Sequence, residues 1–503
     1  MLLNSTRQPL QRVALQGLSA VLVAAASPGL GNAWWLAGIA LVPFVLSLRG
    51  LSPLAALPWG LLGGIAYTAL GKWGSFSSAL SAIGYSGLGL HGAVLLFFVI
   101  QALPAALFAL LWQWLRPWQN RLLAAWLGGY CFAAWYLITP NIFAFTPAVM
   151  ISNVPLLIQL ADIGGEPLIL ALLMTVNLGI ARMILLRRVD AGTLMAVALP
   201  LLGGTLYGHV ALNKWGSQQG ASVSVLSLRS DWPRNSGERL LLSDTPSRKP
   251  RSAMELTRAG IAANPDCEMI VWPESALKPT IPDRQCLRAQ ALAEELGRPL
   301  LASCHDGSAE ESQLTARLYR PDGSSQQHQK ARLVPGYERP LFSPVDWFSG
   351  RPAAERSLLG GAGIAPFSTK VCYELHHSAD LRSDVLQGAQ FIIHSANLAT
   401  FGGPEIGAWD LAMGRFRAVE YRRSIVRSVN RGAAGMITAT GQWRADRGRG
   451  GNPAVCHQAQ LNRSLTLYTR WGDSLFWAML VGIALACWSA PHLQQRYQRQ
   501  ADD

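Results

Sequence analysis

The stretch Gly363-Ile-Ala-Pro-Phe-Ser-Thr-Lys-Val-Cys372-Tyr373-Glu374 decides how the second half of the chain is interpreted. Its apolar beginning predicts a β-strand that ends on a thiol next to a carboxylate. A cysteine at the point where a strand meets a loop is held rigidly and can still be reached, which a nucleophile requires. A lone cysteine is more often a buried structural residue, so this stretch alone leaves both interpretations open.

Two further stretches favour a nucleophile. Met269-Ile-Val-Trp-Pro-Glu274-Ser is an apolar run that delivers a carboxylate at a strand end, and Lys330-Ala-Arg-Leu-Val-Pro-Gly-Tyr-Glu338 places a lysine and a glutamate around a Pro-Gly turn. Glu274 can take the thiol proton, the Cys372 thiolate can attack a carbonyl, and the Lys330 ammonium can stabilise the oxyanion that follows.

The order Glu, Lys, Cys resembles the nitrilase, or carbon–nitrogen hydrolase, superfamily. The motifs Trp-Pro-Glu-Ser-Ala, Lys-x-x-Leu-Val-Pro-x-x-Glu and Cys-Tyr-Glu are similar to those of the apolipoprotein N-acyltransferase family of bacterial membrane enzymes. The resemblance extends over nearly the whole chain. It implies an acyltransferase in which Glu274, Lys330 and Cys372 are the catalytic triad, with no cofactor and no metal. It also implies a four-layer α-β-β-α sandwich for the catalytic domain.

Five other residues are predicted to support the site. The resemblance implies that Glu338 is a supporting carboxylate and that Trp232 matches an aromatic residue near the acyl site. Tyr373 offers a backbone N–H to the oxyanion. Glu374 either orients its surroundings, pairs with a nearby arginine or belongs to a structural ion pair. Asn397 is a second candidate for substrate binding.

The segment 395–410 departs from the family pattern. Ser395-Ala-Asn-Leu-Ala-Thr-Phe-Gly402 stands where Asn-Asp-Ala-Trp-Phe-Gly is usual, and Trp409-Asp410 stands where Gln-His is usual. The departures lie in the predicted pocket wall, so they concern the substrate more than the chemistry. The alternatives are a paralogue that acts on another acceptor, such as a nitrilase-like conjugal-transfer protein, a membrane-anchored amidase, and a non-catalytic envelope scaffold.

A metal site is the rival interpretation of Cys372. His376 follows it at helical spacing, and His394 lies at the end of the next predicted strand. Cys and His ligands bind zinc, but the sequence shows no compact four-ligand pattern here. We therefore favour the nucleophile, and we expect His376 and His377 to be polar surface residues.

Composition indicates a membrane domain plus one soluble domain. The chain has 503 residues, half of them hydrophobic, with 18 Trp and a net charge of +13. It is too apolar for an ordinary soluble protein. The basic residues of a membrane protein mark topology or anionic head groups, and no nucleic-acid-binding motif is visible.

The apolar runs divide the chain. A span needs about 20 apolar residues, and such runs lie near 13–30, 33–48, 53–71, 89–115, 122–140, 164–186, 193–212 and 473–491. The fold class is therefore a multi-span α-helical membrane domain plus an α/β nitrilase-like domain. The predicted domains are 1–212 with about seven transmembrane helices, 213–471 as the catalytic domain, and 472–503 as a last span with a cytoplasmic tail.

Arginine marks every second connection between these runs. The marked connections carry Arg7, Arg12, Arg49, Arg116, Arg121, Arg187, Arg188, Arg496 and Arg499. By the positive-inside rule they face the cytoplasm. The catalytic domain is then on the periplasmic side of a bacterial inner membrane.

Within 213–472 short apolar runs alternate with amphipathic stretches, which argues a layered α/β domain. Strands are predicted at 222–228, 268–272, 299–303, 314–319, 389–395, 424–429 and 435–440, and helices at 253–263, 286–296 and 408–420. This domain has five cysteines, an odd number, and we expect Cys372 to be the free one. A Cys267–Cys286 bridge is one pairing that the sequence permits.

The reaction predicted from these residues is a ping-pong transfer. The acyl donor is a phospholipid, the intermediate is a thioester on Cys372, and the acceptor is the N-terminal amine of a diacylglyceryl-cysteine apolipoprotein. We expect the protein to act as a monomer in the membrane, without nucleic acid.

Overall fold

The computed structural model describes residues 8–116, 122–143, 145–217, 220–231, 251–274, 282–306, 313–335, 338, 358–445 and 453–502. The chain forms two compact units. One comprises Met1–Trp73, Gly92–Leu212 and Arg470–Asp503, and the other comprises Gly74–His91 and Asn213–Thr469.

The first unit is helical, as its long apolar runs predict. The helices from the N-terminus to the start of the second unit's sheet are Gln8–Ala26, Val42–Ser47, Pro53–Ala69, Trp73–Ala82, Gly87–Gln101, Leu103–Trp114, Ala124–Ile138, Pro155–Ile158, Ala161–Leu186 and Ala191–Gly216, and the last helix of the chain is Ser474–Asp502. Among the described residues, three helices are long and apolar enough to cross a membrane, or five if each bent pair of helices is one span. The prediction of eight spans stays a prediction.

Small residues let two of these helices approach closely. A Cβ atom added at Gly60 would lie 2.7 Å from the carbonyl oxygen of Ala105, and one added at Gly64 would lie 2.7 Å from Cβ of Ala102. Helices Pro53–Ala69 and Leu103–Trp114 therefore pack backbone against backbone, which is a common mode of association between membrane helices.

The described residues of the second unit form twelve strands. They are β1 Ser222–Ser230, β2 Met269–Val271, β3 Leu300–Asp306, β4 Gln313–Tyr319, β5 Ser325–Gln329, β6 Leu359–Gly361, β7 Ile364–Val371, β8 Phe391–Asn397, β9 Ile425–Asn430, β10 Gly435–Ile437, β11 Trp443–Arg444 and β12 Ala454–Gln460. Their order is β5-β4-β3-β2-β1-β9-β8-β7-β6, with β12 beside β1, β10 beside β9, and β11 beside β10. Strands β1 to β3 run parallel, and so do β7 to β9.

Strands β5 to β1 of this order form one sheet, and strands β9 to β6 form a second sheet that faces it. Val225 and Val271 from one half pack in a single buried cluster with Phe367, Ile393 and Val426 from the other. Helices Ala253–Ala263 and Pro282–Leu296 cover the outer face of the first half, and helices Ser378–Leu386 and Pro404–Tyr421 cover the outer face of the second. The layers run α-β-β-α, and the predicted fold class is confirmed.

One short helix of the second unit comes from much earlier in the chain. Ser75, in helix Trp73–Ala82, donates a hydrogen bond to Glu405 at the start of helix Pro404–Tyr421. The ring of Phe76 meets that of Phe401 edge to face at 5.7 Å. Segment 74–82 therefore packs on the loop that follows β8.

One disulfide joins Cys267 to Cys456, with Cα atoms 6.1 Å apart, and Cys304 is disulfide-bonded as well. The Cys267–Cys286 pairing considered from the sequence is thus wrong for Cys267. Strand β1 explains the observed pairing, because β12 pairs along one side of it, with Cys456 opposite Leu226, and β2 pairs along the other. Strand β12 is not predicted from the sequence. Among the described residues Cys372 is free, as expected.

Candidate active site

Strand ends bring the predicted catalytic residues together. Glu274 follows β2, Lys330 directly follows β5, and Cys372 directly follows β7. Nζ of Lys330 donates to Oε1 of Glu274 at 2.9 Å and to Oε1 of Glu338 at 2.7 Å. Oε2 of Glu274 accepts a hydrogen bond from the backbone N–H of Asn397 at 3.1 Å. Two donors from different strands therefore fix the Glu274 carboxylate.

The Cys372 thiol lies against this carboxylate. Glu274 and Cys372 lie close enough for each side chain to shift the pKa of the other. The thiol is partly exposed and packs against an apolar cluster of Ala396, Leu398 and Val429. Cys372 has a φ of 51°, in the left-handed region that costs a non-glycine residue about 1–3 kcal/mol. A nucleophile on such a turn stands out from its strand.

Burial sets the protonation of the group. It raises the pKa of the Cys372 thiol well above its ordinary value, and the Glu274 charge adds to this while Lys330 opposes it. Burial also raises the pKa of Glu274, again against the effect of Lys330, and Glu338 raises it further. Burial would lower the pKa of Lys330, but Glu274, Cys372 and Glu338 raise it above its usual value. The resting site thus holds a neutral thiol, a permanently charged lysine and a carboxyl group suited to exchanging a proton.

Glu338 is held in place by its own segment. Its Oε2 accepts a hydrogen bond from the backbone N–H of Val334 at 2.8 Å, and its backbone N–H donates to the Val334 carbonyl at 2.8 Å. Its other oxygen faces Lys330. Glu338 therefore lies beside Lys330 and is fixed there by its own segment.

Glu374 connects the strand that carries the lysine to the strand that carries the thiol. Its carboxylate accepts from the backbone N–H groups of Ala331 at 2.8 Å and Val371 at 2.9 Å, and Oε2 lies 3.0 Å from Nε2 of His328. Burial would raise the pKa of Glu374, but His328, Lys370 and the backbone donors hold it below its usual range. Among the described residues its side-chain partner is His328, so of the three alternatives for Glu374 the arginine pairing is not the one seen there. His328 lies in a strand of polar residues and is not predicted from the sequence.

The other predicted residues are placed as follows. Tyr373 is buried, and its ring packs against His376 at 5.6 Å and His377 at 4.7 Å. The Asn397 side chain accepts from the backbone of Ala399 at 3.1 Å and from Asn430 at 3.0 Å. It therefore orders its own loop. Trp232 lies outside the described residues.

The histidines proposed as metal ligands have other partners. Nε2 of His376 lies 2.9 Å from Oδ1 of Asp410, and its side chain is 6% exposed. Nε2 of His394 lies 3.1 Å from the carbonyl oxygen of Cys372. The expectation that His376 is a polar surface residue is wrong, because the turn that begins at Cys372 carries it inward to Asp410.

The departures at Trp409 and Asp410 are also internal. Both are 2% exposed. The Trp409 ring meets His376 at 4.5 Å, and Asp410 forms an ion pair with Arg427. Burial would raise the pKa of Asp410, but Arg427 and the histidines His394 and His376 hold it below its usual range. These two positions change the packing beneath the nucleophile and do not form an open pocket wall.

Several bacterial proteins are similar to this chain over much of its length. An apolipoprotein N-acyltransferase of Gloeobacter violaceus is 25% identical over 94% of this chain and 92% of its own length. One of Azotobacter vinelandii is 27% identical over 93% of this chain and 92% of its own length. One of Mycolicibacterium smegmatis is 28% identical over 64% of this chain, which spans 59% of that relative. No family model matches.

Among solved structures, an amidase from Nesterenkonia is 18% identical, with a TM-score of 0.35 over 50% of this chain and 94% of its own. A CN-hydrolase superfamily protein from Xanthomonas campestris is 16% identical, with a TM-score of 0.34 over 48% of this chain and 91% of its own.

The second unit has the α-β-β-α layers that the resemblance to nitrilases implies. Over both units, the chain is similar to proteins named apolipoprotein N-acyltransferase.

Proposed function

We propose that this protein transfers an acyl chain from a phospholipid to the N-terminal amine of a diacylglyceryl-cysteine apolipoprotein, through a thioester on Cys372. The observation that carries the proposal is the position of Glu274, whose Oε1 lies 2.9 Å from Nζ of Lys330 and whose charge raises the pKa of the Cys372 thiol. This arrangement unites a base, a nucleophile and a cation at one point. The names of the full-length relatives supply the substrate class.

In the first half-reaction Glu274 removes the thiol proton and Sγ of Cys372 attacks the ester carbonyl carbon. The C–S bond forms, and the carbonyl electrons move onto oxygen. Lys330 has three N–H donors, of which Glu274 and Glu338 occupy two. The third, with the backbone N–H of Tyr373, stabilises the oxyanion. The ester C–O bond then breaks, and the leaving lysophospholipid alkoxide takes the proton from Glu274.

In the second half-reaction the free amine of the acceptor attacks the thioester carbonyl. Glu274 accepts the proton that the amine loses as the C–N bond forms. The C–S bond breaks, and the sulfur recovers a proton from Glu274. An N-acylated lipoprotein leaves, and no other co-reactant is required.

We further propose that the protein spans the bacterial inner membrane with its catalytic unit on the periplasmic side. Two independent observations support this orientation. Arginine marks alternate connections on the opposite side. The catalytic unit contains the Cys267–Cys456 disulfide, a bond that persists in oxidising compartments.

Intact-mass analysis tests the proposal. After incubation with a phospholipid of defined chains, we expect one added acyl mass, located at Cys372 by peptide mapping. Cys372→Ala should abolish the adduct. Cys131→Ala, which removes a free thiol of the helical unit, should retain it. An adduct that is unaffected by Cys372→Ala would overturn the proposal.

A further inference from the structure

The backbone of Cys372 is held on both sides of the thiol. Its left-handed conformation is one that L-residues rarely adopt and that persists only where the surroundings determine it. Before the thiol, Glu374 accepts from the N–H of Val371 at 2.9 Å. After it, Nε2 of His394 lies 3.1 Å from the carbonyl oxygen of Cys372 itself.

His394 is built to be a fixed donor. A carbonyl oxygen only accepts, so Nε2 of His394 carries the hydrogen in this contact. The residue is fully buried on the central strand β8, where it pairs in register with Lys370 of β7. Burial, reinforced by Arg427, lowers the pKa of His394 to about 3. The ring is therefore neutral at physiological pH.

The far end of the same turn has its own anchor. The 3-10 helix Cys372–His376 ends on His376, which lies 2.9 Å from Asp410, and Asp410 is paired with Arg427 of β9. The turn that carries the thiol is thus fixed at its start by His394 and at its end by a buried ion pair. Asp410 is one of the positions where this sequence departs from the family pattern.

We propose that His394 is a positioning residue for the nucleophile, whose Nε2–H holds the Cys372 carbonyl and so fixes the left-handed turn that directs Sγ toward Glu274. The inference rests on the proposed role of Cys372 as nucleophile. His394 itself does not contact the reacting atoms. It acts through the backbone of Cys372, and it stands apart from the triad that the sequence motifs indicate.

Two matched amide variants test this role. The side-chain nitrogen of glutamine reaches the position of histidine Nε2, whereas that of asparagine reaches only the position of Nδ1. His394→Gln therefore keeps the donor and His394→Asn withdraws it, while both remain polar. His394→Leu removes the polar group entirely. Each is made in the full-length protein in detergent micelles, and melting temperature reports folding.

Two rates are measured on each variant: alkylation of Cys372 by iodoacetamide, followed by peptide mass spectrometry, and thioester formation from phospholipid. Because small misplacements of reacting groups cost up to about a hundredfold in rate, we expect His394→Asn to slow both by about tenfold or more, with KM for phospholipid nearly unchanged. His394→Gln should stay within about threefold of the wild type, since it retains the donor.

Equal rates in His394→Asn and wild type, or equal losses in the Asn and Gln variants, would overturn the inference. If His394→Leu does not fold, the comparison of His394→Gln with His394→Asn still tests the positioning role of His394. If wild-type Cys372 is alkylated but forms no thioester, the proposed function fails, and the alkylation rates still decide the role of His394.

Discussion

Nζ of Lys330 lies 2.9 Å from Oε1 of Glu274, so the cation and the base of the proposed mechanism are bonded to each other. The lysine side chain is fully buried and that of Glu274 is 7% exposed. Breaking a buried pair of this kind leaves an uncompensated charge, which is costly. The pair therefore keeps the base in reach of the thiol, and it makes each partner sensitive to loss of the other.

Glu274→Gln should lower the rate of thioester formation by about 10²-fold or more, because the variant cannot accept the thiol proton. Single-turnover kinetics with a phospholipid donor measure this. Glu295→Gln is the matched control, since Glu295 is half exposed in a surface pair with Arg258. A Glu274→Gln enzyme as fast as the control would remove Glu274 from the mechanism.

The pH dependence of kcat/KM should show an acid limb that belongs to Glu274. Below its pKa the carboxyl is protonated and cannot accept the thiol proton, so activity falls as pH falls. Burial raises this pKa, and the limb should lie above the ordinary glutamate value of about 4.3. The residual activity of Glu274→Gln should lack the limb. An identical limb in the variant would assign it to another group.

Lys330→Ala should reduce kcat by about 10²–10³-fold, since the oxyanion loses its charged donor. It should also raise the apparent pKa of any remaining Glu274 limb, because Lys330 is the group that opposes the effect of burial on that carboxyl. Rate constants are compared only for preparations that melt cooperatively. Retention of wild-type kcat would contradict the assigned role.

Glu374→Gln should lower the free energy of unfolding by about 1–3 kcal/mol, because one amide oxygen cannot serve both Ala331 and Val371. The folded-state pKa of Glu374 is lowered. Its stabilising contribution is therefore present above the unfolded value, about 4.3, and is lost as pH falls below it. Urea unfolding at pH 7 and near pH 3.5 measures both effects. If the difference in unfolding free energy between wild type and Glu374→Gln grew on acidification, it would contradict a lowered folded-state pKa for Glu374.

Membrane orientation is tested with reporter fusions. A periplasm-dependent reporter fused after Gly216, the last residue of helix Ala191–Gly216, should be active, and one fused after Arg499 should be silent. This follows from the arginine-bearing connections. The opposite pattern would place the catalytic unit in the cytoplasm.

Much of the catalytic unit was predictable because its elements follow simple rules. Helix Ala253–Ala263 has the predicted bounds, since Ser252 and Glu255 form a capping box before an amphipathic run. Of the strands that carry the site, β2 is wholly apolar, and β7 and β8 each begin with an apolar run, as buried parallel strands should.

The missed features are those whose partners are distant in sequence. Strand β5 reads Ser-Gln-Gln-His-Gln and offers no hydrophobic signal, although it ends next to Lys330 and carries His328. Strand β12 becomes evident only by pairing with β1. The burial of His376 depends on Asp410, which lies on a separate helix. The departure of Trp409-Asp410 from the family pattern was visible in the sequence, but its internal position was not.

The most direct test follows the Cys372 thioester after excess phospholipid is removed. With a diacylglyceryl lipopeptide that has a free α-amine, we expect the acyl mass to leave Cys372 and appear on the peptide. With the N-acetylated peptide, or with buffer alone, the thioester should persist. Decay at the same rate with and without the free amine, with the acyl chain released to water, would contradict acyl transfer and indicate a hydrolase.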